Sequence, residues 1–142
     1  MIYLDANIFL RHLTAAPDSH TENLQSIAED LFLMIEDGSV EATTSEIAIH
    51  QTLYFLTHRH FYNYPANQAV ESVRALLSLK GFRFQSGDRS IIFRALDLYE
   101  SLPTLGFADS VIAARCEVNG WELATFDQRL GSLPNVTRWQ PA

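Results

Sequence analysis

Four acids in this sequence stand apart from ordinary surface charge: Asp5, Glu46, Asp109 and Asp127. Asp5 ends the β-rich run Ile2-Tyr3-Leu4. Asp109 follows Gly106-Phe107-Ala108 and opens a stretch of small and apolar residues, Val111-Ile112-Ala113-Ala114. Asp127 closes Thr125-Phe126-Asp127. Each has an ordinary structural reading. Asp5 suits a turn or a helix cap, Asp109 a partner for a helix dipole, and Asp127 a cap for a short helix through Leu130. Gathered together they would do something else. Carboxylates with few cationic partners repel one another, and such a cluster is tolerated where hard divalent cations bind. Mg2+ and Mn2+ take oxygen ligands. Ions held this way can activate a water and stabilise charge on a phosphodiester.

Other chemistries find less support. None of the histidines, His12, His20, His50, His58 and His60, has the spacing of a zinc site, and Cys116 is the sole cysteine. There is no Gly-rich phosphate loop, no Gly-x-Ser-x-Gly elbow and no dinucleotide-binding glycine fingerprint. His58-Arg59-His60, followed by Phe61, Tyr62 and Tyr64, combines basic groups with aromatics. It reads either as a contact for single-stranded RNA or as an amphipathic helix end with its aromatics packed into the core.

The elements that must position these residues follow from periodicity. Ile2-Tyr3-Leu4 reads as a strand, with Asn7 as N-cap of a short helix through Leu13. Ser19-His20-Thr21-Glu22 has capping-box spacing; Leu24, Ile27, Ala28, Leu31 and Ile35 then recur at helical period until Gly38. Val40 to Thr43 reads as a strand, and Thr44 or Ser45 caps a helix to about His60. Pro65 opens another helix, ended by Gly81. Phe82-Arg83-Phe84 is a short strand, and Ser86-Gly87-Asp88 starts a helix that ends before Pro103. A further helix runs from about Ala108 to Asn119. Trp121 to Thr125 is a strand, and Val136-Thr137-Arg138 a last edge strand. Strands alternating with helices predict an α/β fold, a three-layer α/β/α sandwich with a short, mainly parallel sheet, as a single domain over 1–142. Ligands in such folds sit beyond the carboxyl ends of the strands, so Asp5 and Asp127 are expected at one edge of the sheet.

Composition bounds the classes. The chain has 142 residues, 47% of them hydrophobic, which suits one domain with a real core and excludes a mainly disordered chain. No apolar run approaches a membrane span of about 18 residues. The first residues lack a signal peptide's basic region and cleavage site. With a lone cysteine, the expectation is a reduced, cytoplasmic protein without a membrane partner. The net charge is −7, from 17 acids against 10 bases, nine of them Arg. A polyanion binder is usually basic, so an RNA substrate requires that bound cations and local arginines such as Arg11, Arg59 or Arg129 offset the acidity.

Ile2-Tyr3-Leu4-Asp5-Ala6-Asn7, Phe107-Ala108-Asp109-Ser110-Val111-Ile112-Ala113-Ala114 and Leu123-Ala124-Thr125-Phe126-Asp127 together resemble the PIN-domain family, most closely VapC-type toxins of toxin–antitoxin pairs. The resemblance spans Ile2 to about Trp139. It implies a Mg2+- or Mn2+-dependent endoribonuclease that is usually dimeric and inhibited by a cognate antitoxin. By position, Asp5 and Asp109 resemble the principal metal ligands and Asp127 the last acid of the site. Asn7 and Thr125 resemble polar residues supporting those ligands.

One position departs. The family carries a Glu in the helix after the second strand, and counting back five residues from Leu56 in Tyr54-Phe55-Leu56 lands on Gln51. Glu46 is the alternative acid, but a helix turns it ~140° away from residue 51. A Gln keeps the shape and one carbonyl oxygen but loses the charge. Three function classes follow: a toxin ribonuclease, slowed or disabled by Gln51; a non-catalytic relative that binds RNA or antitoxin; and a phosphatase of the haloacid-dehalogenase type. The last would use Asp5 as nucleophile, yet its second acid is replaced by Asn7 and the only lysine is Lys80. The aromatics Phe55, Phe61, Tyr62 and Tyr64 predict a partner surface, and the expected assembly is a homodimer.

Overall fold

Backbone pairing in this chain is brief, and helices supply most of the packing. The computed structural model describes residues 1–141, in two compact units, Met1–Phe84 and Gln85–Ala142. In the first unit β1 (Ile2–Tyr3) lies parallel to β2 (Ala42–Thr43), with Ile2 opposite Ala42 and Tyr3 opposite Thr43. Phe82 adds a parallel bridge to Ala42 from its other edge. Helix α1 (Ala6–Leu13) follows β1 and packs on α2 (Ser19–Asp37) and α3 (Glu46–Thr57); α3 packs on α4 (Ala66–Leu77). Leu4, Phe9, Ile35, Ile49, Leu53, Leu56, Val70, Val73 and Leu77 are all shielded from solvent.

The second unit is built on α5 (Asp88–Ser101) and α6 (Phe107–Asn119), joined through a 3-10 turn, Pro103–Leu105. Small residues, Ala95, Ala113 and Ala114, are fully buried here, which lets helices approach closely. Arg94 and Glu117 tie α5 to α6 by an ion pair of 2.9 Å. Strand β3 (Glu122–Leu123) runs parallel to β4 (Thr137–Arg138), with α7 (Gln128–Gly131) between them in the chain. Leu105, Ala113 and Leu130 form a small core, with Leu98, Leu123, Leu133 and Val136 packed against it. Among the described residues, no helix is long and apolar enough to cross a membrane.

The α/β class and the parallel pairing are as the sequence predicts; several boundaries differ for local reasons. Asp5, not Asn7, is the N-cap of α1, because its carboxylate accepts the Ala6 N–H. Likewise Asp18, not Ser19, caps α2 by accepting from Thr21 N at 2.8 Å. Helix α3 stops at Thr57 rather than His60. There the chain folds back, and the amides of Tyr62 and Tyr64 satisfy the carbonyls of Phe55 and Leu56. Gly81 does not cap α4, since Ser78 does. Gly81 instead passes so close to the backbone that a Cβ would lie 2.2 Å from Val40 O and 2.7 Å from Ile35 O. The expected strand 82–84 shrinks to the one bridge at Phe82, and that at 121–125 to Glu122–Leu123.

His12, in the last turn of α1, stacks on Phe32 of α2 with ring centroids 4.7 Å apart. Its Nδ1 is buried without a hydrogen-bond partner. Burial holds its pKa below the ordinary value of 6.5, with Glu29 opposing the shift. The folded chain therefore prefers neutral His12, while the unfolded chain takes up a proton more readily. The stability difference is absent at high pH and grows as pH falls through the unfolded value toward the folded one. Wild type is expected to lose more Tm than His12→Phe between about pH 7 and about pH 5, read from paired melting curves.

Candidate functional site

In the first unit the site is built at the carboxyl edge of the β1–β2 pair. Leu4 N donates to Thr43 O at 2.8 Å, and Thr44 Oγ1 returns a bond to Leu4 O at 2.8 Å. Tyr3 Oη and Ser45 Oγ meet at 2.6 Å. These bonds hold residues 3 and 4 to residues 43–45 just past the last paired positions. Asp5, the cap of α1, and Glu46, the first residue of α3, thus stand at the same edge. Asp5 is exposed; its Oδ1 accepts from Ala6 N at 2.6 Å, and Asn7 Nδ2 donates to its Oδ2 at 3.4 Å. Glu46 is half-buried.

Gln51 lies elsewhere on α3. The buried line of that helix is Ala48, Ile49, Thr52, Leu53 and Leu56. Gln51 shares the opposite, exposed side with Ile47 and Tyr54, which sit at helical spacing from it. The slot counted from the sequence is therefore solvent-facing, and the alternative acid is the one at the strand edge.

In the second unit Asp109 sits in the first turn of α6, after Gly106 turns the chain at φ +86°. It is half-buried, and its carboxylate makes no hydrogen bond or ion pair among the described residues. Asp127 caps α7: its Oδ1 accepts from Arg129 N at 2.9 Å and Leu130 N at 3.2 Å. Its own N–H donates to Thr125 Oγ1 at 3.0 Å. Thr125 is held in turn by Arg138, whose Nη2 donates to Thr125 O at 3.0 Å while Nη1 donates to Gln128 Oε1 at 3.1 Å. Within neither unit do three His, Cys, Asp or Glu side chains of the described residues gather closely enough to hold a metal ion.

The aromatic segment after α3 does not enter the core. Phe61 and Tyr62 are 52% and 37% exposed. Phe61 packs edge-on to Phe55 at 4.7 Å and beside His58 at 5.6 Å. Together with Asn7, Leu10 and Arg11 of α1, Phe55, Phe61 and Tyr62 line an open groove of about 310 Å3. Arg138 is the residue that sequence reasoning missed. Its hold on Thr125 joins positions thirteen residues apart and leaves no local pattern.

With this geometry in place, comparison supplies the family. The chain matches the PIN domain over residues 2–136 and belongs to that family. No curated protein matches it. PIN domains are generally metal-dependent nucleases, so helices and short parallel strands here make a nuclease-type fold.

The double duty of Asp127 has a consequence for stability. Asp127→Ala removes the acceptor for two amides of α7 and is expected to cost about 1 kcal/mol, whereas Asp127→Asn keeps an acceptor and stays near wild type. Urea unfolding of the two variants checks this.

Proposed function

We propose that the protein is a metal-dependent endoribonuclease, a VapC-like toxin that hydrolyses phosphodiester bonds of RNA and is held inactive by a cognate antitoxin protein. It works as one catalytic domain over residues 1–142, in the cytoplasm, as a homodimer. The observation that carries the reading is the PIN match over residues 2–136 in a chain that keeps Asp5, Asp109 and Asp127.

Mg2+ or Mn2+ suits the donor set. Asp5, Asp109 and Asp127 offer hard carboxylate oxygens, and that of Asp109 has no partner among the described residues. When bound, the cation supplies positive charge against the phosphodiester and makes a water more acidic. The chain's own groups do the rest. Asn7 steadies Asp5 through its side-chain amide, and Thr125 steadies Asp127 through its hydroxyl. Glu46, the first residue of α3, is the alternative acid to the Gln51 slot for taking a proton from the attacking water. Gln51 cannot take that proton. The exposed face of Ile47, Tyr54, Phe61 and Tyr62 supports the homodimer.

Gln51 favours a second reading, a PIN-like protein that binds RNA or antitoxin without cutting. The phosphatase reading loses ground. Lys80 lies over Gly38, ahead of the amino end of β2, whereas Asp5 follows the carboxyl end of the parallel β1.

Asp5→Asn and Asp109→Asn are expected to remove both Mn2+ binding, by calorimetry, and cleavage of single-stranded RNA, with Tm little changed. Full Mn2+ affinity in both variants would sink the assignment. Asn7→Ala and Thr125→Val should each cost roughly 10–100-fold in activity. Gln51→Glu should raise Mn2+ affinity and cleavage if residue 51 is the working slot. If it changes neither while Glu46→Gln removes activity, Glu46 is the acid. A monomeric mass by light scattering at about tens of micromolar contradicts the dimer.

A further inference from the structure

The loop that carries Asp127 also presents an aromatic ring to solvent. Phe126 is 101% exposed, as open as a side chain can be. Its neighbours are not free to tuck it away. Thr125 is held through its carbonyl by Arg138, and Thr125 Oγ1 holds the amide of Asp127. The residues on either side of Phe126 are thus pinned while its ring points out. Trp139, 49% exposed, follows Arg138 and is anchored by its own amide to Leu123 O at 2.9 Å. Thr125, Phe126, Arg138 and Trp139 line one cavity of about 390 Å3.

Arg138 is set in that wall with its charge intact. Both acceptors of its guanidinium bonds, a backbone carbonyl and a glutamine amide, are neutral. Its stem lies against Gly131, where a Cβ would come 3.0 Å from Arg138 Cδ and 3.2 Å from Nε. A fixed cation lining the same cavity as two exposed aromatic rings matches one ligand chemistry: a planar base carrying a phosphate. Rings give sequence-tolerant stacking, and the guanidinium attracts the backbone.

We propose that Phe126, Trp139 and Arg138 form a stacking subsite for one unpaired nucleotide of the RNA, next to Asp127. This rests on the ribonuclease reading and assigns to these three side chains the contact with an unpaired base. Inside a duplex both faces of a base are covered by its stacked neighbours, so none is free for the two rings.

The test uses the full chain with Trp121→Phe, so that Trp139 is the remaining indole. A single-stranded polyadenylate oligoribonucleotide of about eight nucleotides, a length within single-strand site sizes, is titrated in Ca2+ while fluorescence is read. Cleavage of the same oligonucleotide is followed separately in Mn2+. Saturable quenching is expected, and a duplex of the same length should quench far less. Phe126→Ala should weaken binding about tenfold, and Trp139→Ala, read by competition, by a similar factor. Tm and Mn2+ affinity should not move in Phe126→Ala, because the ring packs on nothing. If the parent chain binds and cuts RNA but Phe126→Ala and Trp139→Ala bind it equally well, the subsite is wrong and the ribonuclease reading stands. If the parent chain neither binds nor cuts RNA, both fail. If Phe126→Ala instead shifts the mass by light scattering, the rings belong to a protein interface and the subsite is overturned.

Discussion

Every helix begins with backbone amides that have no partner inside the helix, and this chain repeatedly meets that demand with aspartate. Asp5 caps α1, Asp18 caps α2 and Asp127 caps α7. In two of these places the cap also marks where a very short strand hands over to a helix. Strands β1 and β3 are each two residues long. Pairs this short cannot fix the course of the chain by themselves, so the turn after them must be held by side chains. Thr44 on Leu4, Tyr3 on Ser45 and Thr125 on Asp127 do this. The same requirement puts carboxylates where strands end, which is where an α/β fold presents ligands. Structural capping and chemistry therefore draw on one residue type at one kind of position. Capping uses Asp127 Oδ1 for two amides, and for Asp5 one oxygen is likewise committed to Ala6.

Much of this was legible in the sequence, and the exceptions have physical causes. Helix α2 could be read because its apolar period is regular and Gly38 provides the left-handed turn at φ +82° that ends it. Helix α6 is likewise bounded by Gly120. The strands are shorter than their composition suggests. Val40 to Thr43 has the composition of a strand, but only Ala42 and Thr43 pair as strand residues, and pairing depends on distant residues that composition does not reveal. The cap of α1 lies two residues before Asn7, because Asp and Asn compete for that role and only geometry distinguishes them. The segment after α3 kept its helical look as far as His60, while a fold-back onto the carbonyls of Phe55 and Leu56 ended the helix sooner.

The site divides in the same way. Residue types at predicted strand and helix ends singled out Asp5, Asp109 and Asp127, whereas Asn7 and Thr125 came from the resemblance to the PIN family. The relation between Glu46 and Gln51 was not legible. A count along the helix separates them by ~140° but cannot say which side faces the strand edge. The burial of Ala48, Ile49, Thr52, Leu53 and Leu56 supplies that missing reference. Arg138 was invisible for a different reason: its partners, Thr125 and Gln128, belong to another stretch of chain.

Gly81 shows how a fold can write itself into evolutionary record without any help from catalysis. Its amide reaches Ile35 O, and its carbonyl receives Ala42 N, so it ties the end of α2 to β2. The atoms that would collide with a side chain there are main-chain oxygens, which cannot rotate aside. Among descendants that keep this crossing, position 81 has one permitted letter, whatever they cleave or bind. An alignment of such descendants would rank this glycine beside the aspartates for constancy. Its invariance would record how the chain crosses itself, and a survey that equates constancy with chemistry would misplace the active centre.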